Sequence, residues 1–150
     1  MIIFTLLIGS ALAQNIPNPV LTPGVVRPEV TKEIICATAW GKDVRHVTSA
    51  MKREVFNNYQ IKCTPFMNGW VPCSTWEVDH FISRELGGAD DVKNLWPQLL
   101  KGDYNARMKD RLENYLHKQV CTNKLMLIEA QNLLRNDWRK AYDQLFRVKP

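Results

Sequence analysis

The sequence is short of glycine, lacks a long apolar segment after its first residues, and contains no internal repeat. Its 150 residues include 7 glycines and 8 prolines against 45% hydrophobic residues, which excludes a low-complexity chain and predicts a buried core. This length suffices for one domain and is too short for two. No later segment approaches the ~20 apolar residues that a bilayer span needs, so we expect a soluble mature protein.

Acidic residues are fewer than basic ones. The chain has 15 Asp and Glu against 20 Lys and Arg, which gives a formal charge of +5. This balance suits a polyanionic partner such as nucleic acid, but many exported proteins are equally basic. Charge alone therefore favours nucleic-acid binding only modestly.

The first thirteen residues lack the Lys or Arg that usually opens an export signal, but otherwise have its pattern. Ile2 to Ile8 is an apolar run, and Ala11-Leu12-Ala13 supplies a small-x-small cleavage site. The alternatives are a membrane anchor, for which the run is too short, or a buried strand. We expect residues 1–13 to be a signal peptide cleaved after Ala13, and the protein to be periplasmic or secreted.

Four cysteines are present and none forms a CxxC pair, which argues against a zinc ribbon or a thioredoxin-like site. An even number after a signal peptide predicts two disulfides. Cys63 and Cys73 bracket a short loop and are natural partners, which leaves Cys36 with Cys121. This pairing is inferred from proximity, and the sequence leaves the other two connectivities open.

The organisation expected after the signal peptide is a leader followed by a single domain. Residues 14–28 contain four prolines and one glycine, which predicts an extended segment with little helix or strand. Residues 29–150 form the domain. Near its start, Thr31 is placed to cap a short helix that runs towards Cys36.

Apolar residues at helical spacing predict three further helices. The first begins at Thr48 or Ser49 and ends near Tyr59, the second begins near Asp103, and the last covers about Leu125 to Phe146. Their expected inward residues are Val55, Phe56 and Tyr59, then Met108, Leu112, Leu116 and Val120, and finally Leu127, Ala130, Leu134, Trp138, Tyr142 and Leu145.

Two short segments between these helices have the character of strands. Trp76 to Phe81 alternates apolar and polar residues, Gly87-Gly88 marks a sharp turn, and Asn94 to Pro97 ends a second extended segment. A hairpin followed by a helix, embedded among other helices, predicts the α+β class.

The polar residues of this hairpin and of the helix after it are the candidates for chemistry. Asp79 offers a hard oxygen ligand and His80 a titratable imidazole, side by side at the end of a strand. Asn94 follows the second extended segment. Asn105 begins a helix and lies on the same face as the inward residues Met108 and Leu112, where its polar side chain needs a hydrogen-bond or ligand partner. A cation shared with Asp79 is one such partner, and a helix cap or a loop carbonyl is the alternative.

Strand geometry complicates a joint role for Asp79 and His80. Neighbours on a regular strand face opposite ways, so the strand has to twist, bulge or end there for both to serve one site. Because side chains alternate along a strand, His80 shares the inward face with Trp76 and Val78, and Asp79 shares the opposite face with Glu77. On pattern alone, a lone histidine on an apolar face is an ordinary core residue.

The stretch from Glu77 to Glu113 resembles the HNH, or ββα-metal, endonuclease motif in the variant with Asn at its third position. The three positions are His80, Asn94 and Asn105. The segments EVDHFI, LGG, NLWPQ and KDRLE occur in the order seen in a group of small exported bacterial HNH proteins. The catalytic motif covers about a quarter of the chain, and the gap from Asn94 to Asn105 is slightly longer than the commonest spacing.

The resemblance implies a ββα-metal hairpin-plus-helix core and a metal-dependent, largely sequence-nonspecific endonuclease. His80 would be the general base, Asn94 would brace the hairpin, and one divalent cation would lie between Asp79 and Asn105. Oxygen ligands favour Mg²⁺, with Mn²⁺ as the alternative. The implied partner is DNA, with RNA left open.

Two basic residues inside the motif, Arg84 and Lys109, are the expected phosphate contacts. For each, a solvated surface charge is the alternative. The competing function is a catalytically silent HNH scaffold that binds nucleic acid or protein. The pair of Asp79 and His80 argues against it, because a module that only binds has no need of an activated water.

Overall fold

The computed structural model describes residues 15–61 and 76–147. They form four helices, a two-stranded antiparallel sheet and two short 3-10 turns, so the predicted α+β class is confirmed. The expected signal peptide at residues 1–13 lies outside the described residues, as do Cys63 and Cys73.

The sheet is a hairpin of β1 (Trp76–His80) and β2 (Leu95–Leu99), with His80 opposite Leu95 and Trp76 opposite Leu99. Strand β1 was expected from its alternation, and its two buried residues are Val78 and His80. Strand β2 begins later and runs further than expected, because the 3-10 turn Val92–Asn94 takes up the residues before it. Four of the five β2 residues are buried, which explains why the alternation there is weak.

Two short helices precede the hairpin and both begin at a threonine cap. In α1 (Lys32–Ala37), the hydroxyl of Thr31 accepts a hydrogen bond from the amide of Ile34. In α2 (Ser49–Asn58), Thr48 accepts in the same way from Met51. These side chains satisfy amide groups that have no partner inside the helix. The Thr31 cap was predicted, and α2 begins where the sequence placed its start.

The two long helices, α3 (Ala106–Cys121) and α4 (Leu127–Phe146), follow the hairpin and pack on each other. Leu112, Leu116 and Val120 face inward as predicted. Within the described residues, no helix is long and apolar enough to cross a bilayer.

One predicted core position in α4 is wrong, because Leu145 is 40% exposed. The backbone of Asp137 is non-helical (φ −170°, ψ 98°), but the inward stripe continues past it through Trp138, Ala141 and Tyr142, so the error is confined to the last turn of the helix. Phe146 takes an inward position instead, with its ring centroid 4.9 Å from that of Tyr142.

The segment before α1 packs on the hairpin. Residues 15–28 contain no helix or strand, as expected, apart from an isolated bridge between Val26 and Gly88. The hydroxyl of the buried Thr22 donates to the carbonyl of Leu95 at 2.9 Å, and the indole N–H of Trp138 donates to the carbonyl of Asn15 at 3.1 Å. This segment is therefore part of the packed fold.

A disulfide between Cys36 and Cys121 joins α1 to the end of α3, with a Cα–Cα distance of 5.6 Å. This pair was predicted and is confirmed. It closes a loop across a sequence separation of 85 residues, which restricts the unfolded chain strongly in the entropic account of disulfide stabilisation.

We expect the double variant Cys36→Ser/Cys121→Ser to lower the free energy of unfolding by about 2–5 kcal/mol, because it releases this loop in the unfolded state. Urea unfolding of the oxidised protein at neutral pH measures the change and leaves the other two cysteines untouched. An unchanged unfolding midpoint would show that the bridge does not stabilise the fold.

Candidate functional site

Asp79 and His80 line one cleft of about 460 Å³ at the end of β1. The cleft is bounded by the α3 residue Asp110 and by Arg45 and Arg84 from the connecting segments. His80 is 5% exposed and Asp79 is half-buried. Because β1 ends at His80, the two neighbours border the same cleft although they belong to opposite faces of the strand.

The imidazole of His80 is held by a carboxylate. Its Nε2 lies 2.7 Å from Oδ1 of Asp90. Partial burial acts to raise the pKa of the Asp90 carboxyl, but hydrogen bonds from the amide of His46 and from His80 outweigh it and the pKa is lowered. An ionised carboxylate accepts only, so Nε2 carries the proton and donates it to Asp90. The other ring nitrogen, Nδ1, has no hydrogen-bond partner among residues 15–61 and 76–147.

Burial keeps this imidazole neutral. Loss of solvent lowers the pKa of His80, and the opposing effect of Asp90 and Asp79 does not reverse the shift. A neutral imidazole with one nitrogen bonded to a carboxylate and the other free is the arrangement of a general base with its orienting partner.

Arg84 holds the orienting carboxylate. Its Nε lies 3.3 Å from Oδ1 of Asp90, its terminal nitrogen pairs with Asp43, and it donates to the carbonyl of Val44 at 2.6 Å. Arg84 lines the cleft as expected, but two carboxylates already balance its charge. The structure therefore gives it a supporting contact with Asp90, and its predicted phosphate contact stays a prediction.

Asn94 closes the loop between the two strands. Its Oδ1 accepts from the amide of Ile82 at 2.9 Å, and its Nδ2 donates to the carbonyls of Ile82 and Ala89, both at 3.0 Å. Asn94 is fully buried. Gly88 passes so close that a Cβ there would lie 1.7 Å from the carbonyl oxygen of Ile82, so only glycine fits. These contacts fix the chain directly after His80.

Lys109 lies in the interior of the protein. Its side chain is fully buried, and its ammonium donates to Oδ2 of Asp79 at 2.9 Å, to the carbonyl of His80 at 2.6 Å, and to Glu113. Burial opposes the charge, but the carboxylates of Asp79 and Glu113 raise the pKa of Lys109 and keep it ionised. With all three donors used, Lys109 cannot be the phosphate contact that the sequence led us to expect.

Asn105 is the N-cap of α3. Its Oδ1 accepts from the amide of Met108 at 3.2 Å, and its Nδ2 donates to the carbonyl of Gly102 at 2.7 Å. It borders a neighbouring cavity, which it shares with Glu77 and Asp110, and does not line the cleft that holds His80. The helix cap, which was the alternative to a metal ligand, is thus the role seen in the structure.

Carboxylates crowd around Asp79. Burial and then the charge of Asp79 raise the pKa of both Glu77 and Asp110. Asp110 borders the cleft and also the neighbouring cavity that Asn105 lines. Mutual repulsion of carboxylates is relieved by a bound cation, and carboxylate oxygens are the ligand type that Mg²⁺ and Mn²⁺ prefer.

A second group of ligand-type side chains surrounds the disulfide. Atoms of Cys36, His117 and Cys121 lie within 4.8 Å of one another, a spacing compatible with a metal ion. The two sulfurs are joined to each other, so neither is a thiolate ligand in this structure.

Sequence reasoning missed Asp90 and Glu113 as partners of the site. Asp90 follows the Gly87-Gly88 turn and looks like an ordinary turn residue, since nothing local in the sequence points to His80. Glu113 had a detectable signal, because it stands four residues after Lys109 on the same helix face.

No protein-family model, curated protein or solved structure matches this chain.

We expect Asn94→Ala to lower the free energy of unfolding by about 2–4 kcal/mol, because it leaves buried backbone groups of Ile82 and Ala89 without partners. Urea unfolding checks this value. The control is Asn136→Ala, an exposed position in α4, which should stay within about 0.5 kcal/mol of the parent. Equal effects of the two substitutions would contradict the bracing role of Asn94.

We expect Lys109→Met to cost about 3–5 kcal/mol at neutral pH, because it leaves the carboxylates of Asp79 and Glu113 without their cation. The deficit relative to the parent should shrink in acid, where protonation of those carboxylates removes the unbalanced charge. Urea midpoints across pH, with the exposed Lys118→Met of the same helix as the control, measure both effects. A deficit independent of pH would point to lost packing.

Proposed function

We propose that this protein is a metal-dependent endonuclease of the ββα-metal type that hydrolyses phosphodiester bonds of DNA, and of RNA if the sugar is not discriminated. One observation carries the proposal. A buried, neutral imidazole at the end of β1 is bonded through Nε2 to the Asp90 carboxylate and lies beside the Asp79 carboxylate in an open cleft. Such an arrangement provides a general base and a carboxylate ligand, the two groups needed to deprotonate a water beside a bound cation.

His80 supplies the base. Its Nδ1 takes a proton from a water, the resulting hydroxide attacks phosphorus, and the bond from phosphorus to the leaving 3′ oxygen breaks. The contact between Nε2 and Asp90 stabilises the imidazolium that forms. The 3′ oxygen takes a proton from solvent, and His80 returns its proton to solvent to complete the cycle.

Asp79 would hold the cation, with Asp110 as the further oxygen donor on the cleft wall. Oδ2 of Asp79 is bonded to Lys109, which orients the carboxylate with respect to α3. A bound Mg²⁺ or Mn²⁺ supplies charge that stabilises the phosphorane and the leaving oxygen. Asn105, engaged in the helix cap, is not needed in this assignment.

Asn94 and Lys109 act by positioning. Asn94 fixes the backbone directly after His80, and Lys109 holds both the side chain of Asp79 and the carbonyl of His80. Errors of about 1 Å in placement cost catalysis strongly, so rigid support of two adjacent side chains is a requirement of the chemistry.

The setting fits an exported enzyme. The Cys36–Cys121 bridge is of the kind that persists in oxidising compartments, and the formal charge of +5 favours a polyanionic substrate. We propose periplasmic or secreted localisation on these grounds.

We expect the oxidised protein to cut plasmid DNA with Mg²⁺ or Mn²⁺ and to lose this activity in EDTA. The variant His80→Ala should be slower by at least about 100-fold, since a general base contributes 10²–10⁴-fold. Its control is His117→Gln, a half-buried histidine outside the cleft, which should retain activity. Gel assays over time measure the rates.

Two outcomes would contradict the proposal. Cleavage by His80→Ala at the parent rate would remove His80 from the mechanism. A folded parent protein that binds the plasmid but never cuts it with either metal would instead support the silent binding module.

A further inference from the structure

A second cavity of about 360 Å³ lies between α2 and β1. We call it the basic groove, and it is defined by Arg45, Lys52, Arg53 and Trp76 among its lining residues. None of these residues belongs to the catalytic assignment above. The groove therefore needs an explanation of its own.

The α2 wall is cationic. Ser49, Lys52, Arg53 and Phe56 follow at spacings of three, one and three residues and so lie on one helix face. Lys52 and Arg53 are exposed, and neither forms an ion pair within residues 15–61 and 76–147. Three basic side chains face a single carboxylate, that of Glu77. The excess of unpaired positive charge favours an anion in the groove.

The strand wall is aromatic. Trp76 lines the groove and is only half-buried, while Phe56 is buried beneath the α2 face at 1% exposure. A partly exposed indole beside a row of cations is the combination that binds an unpaired nucleotide, with the base stacked on the ring and the phosphate against the basic side chains.

The groove continues into the catalytic cleft. Arg45 lines both cavities and donates to the carbonyl of Val78 at 3.4 Å. Trp76 and His80 share one face of β1 and are separated by four residues, roughly 13 Å at the usual rise of a strand. A strand of nucleic acid cut at His80 therefore passes the groove within a few nucleotides.

We propose that the basic groove is a subsite for an unpaired nucleotide that flanks the scissile bond, so that single-stranded nucleic acid is the preferred substrate. Arg45, Lys52 and Arg53 bind its phosphates and Trp76 stacks on its base. A base inside a duplex is stacked on both sides and cannot lie on the indole. The position of this subsite relative to a scissile bond rests on the proposed nuclease function, whereas the binding of a single strand in the groove does not.

The test measures binding without cleavage. Fluorescence anisotropy of a labelled single-stranded 12-mer is recorded in EDTA with the full, oxidised protein. The variant Lys52→Gln/Arg53→Gln should weaken binding about 10-fold or more and reduce the slope of log affinity against log salt by about 1–2. The control Lys118→Gln/Lys140→Gln removes the same charge from exposed positions on α3 and α4 and should change affinity less than 3-fold.

The aromatic contact has its own measurement. Trp76→Leu should weaken single-strand binding roughly 10-fold and leave duplex binding nearly unchanged. Its folding is checked by the urea midpoint. Since the chain has five tryptophans, the part of the fluorescence quenching by the 12-mer that is lost in Trp76→Leu gives an independent readout of stacking.

Two results would overturn the subsite. Equal weakening by the groove variant and its control would mean that only net charge matters. Equal affinity for single strand and duplex, with no effect of Trp76→Leu, would exclude stacking. Because binding is measured without metal, the test of the subsite can succeed or fail even if the protein proves unable to cut nucleic acid. Conversely, His80→Ala should lose cleavage and keep this binding.

Discussion

A single buried ammonium joins the two halves of the candidate site. Lys109 rises from the first turns of α3 and bonds the side chain of Asp79, the main chain of His80 and the side chain of Glu113. A buried cation is stable only when its donors are satisfied, so strand end and helix have one relative placement. The hairpin has two strands and would be marginal by itself. The position of Asp79 and His80 is therefore set by α3 as much as by the sheet.

The other side of the hairpin is fixed by contacts of the loop between its strands. Asn94 joins three backbone groups of the loop, Asp90 receives the imidazole, and Arg84 holds Asp90 in turn. The chain before α1 lies across this loop, where Val26 pairs with Gly88. Lys109 supports the strand on the α3 side, and Asn94 together with the Asp90–Arg84 ion pair supports it on the loop side. His80 is therefore held from both directions while one ring nitrogen stays free.

Much of the fold followed from local patterns. Threonine caps, helical spacing in α2 and α3 and the alternation of β1 are properties of neighbouring residues, and a sequence displays them directly. The exception, Leu145, lies in the last turn of α4, where Phe146 takes the inward position. The candidate site was harder, because its contacts join distant positions. The contacts of Asp90 with His80 and of Lys109 with Asp79 depend on how α3 packs against the loop. In the sequence, an aspartate at position 90 equally suits an exposed turn, and a lysine at position 109 equally suits the solvated face of a helix. Asn105 was ambiguous for another reason, since asparagine serves both as a helix cap and as a metal ligand. Only the surrounding structure distinguishes the two roles.

The Cys36–Cys121 bridge has a consequence for what a protease does to the protein. The covalent ring that it closes contains α2, both strands, the Asn94 loop and the part of α3 that carries Lys109. A protease that cuts the chain once anywhere in this ring produces two pieces that stay covalently joined. The pieces that carry His80, Asp90 and Lys109 then cannot diffuse apart after a nick, so cleavage of the chain and loss of the site are separate events.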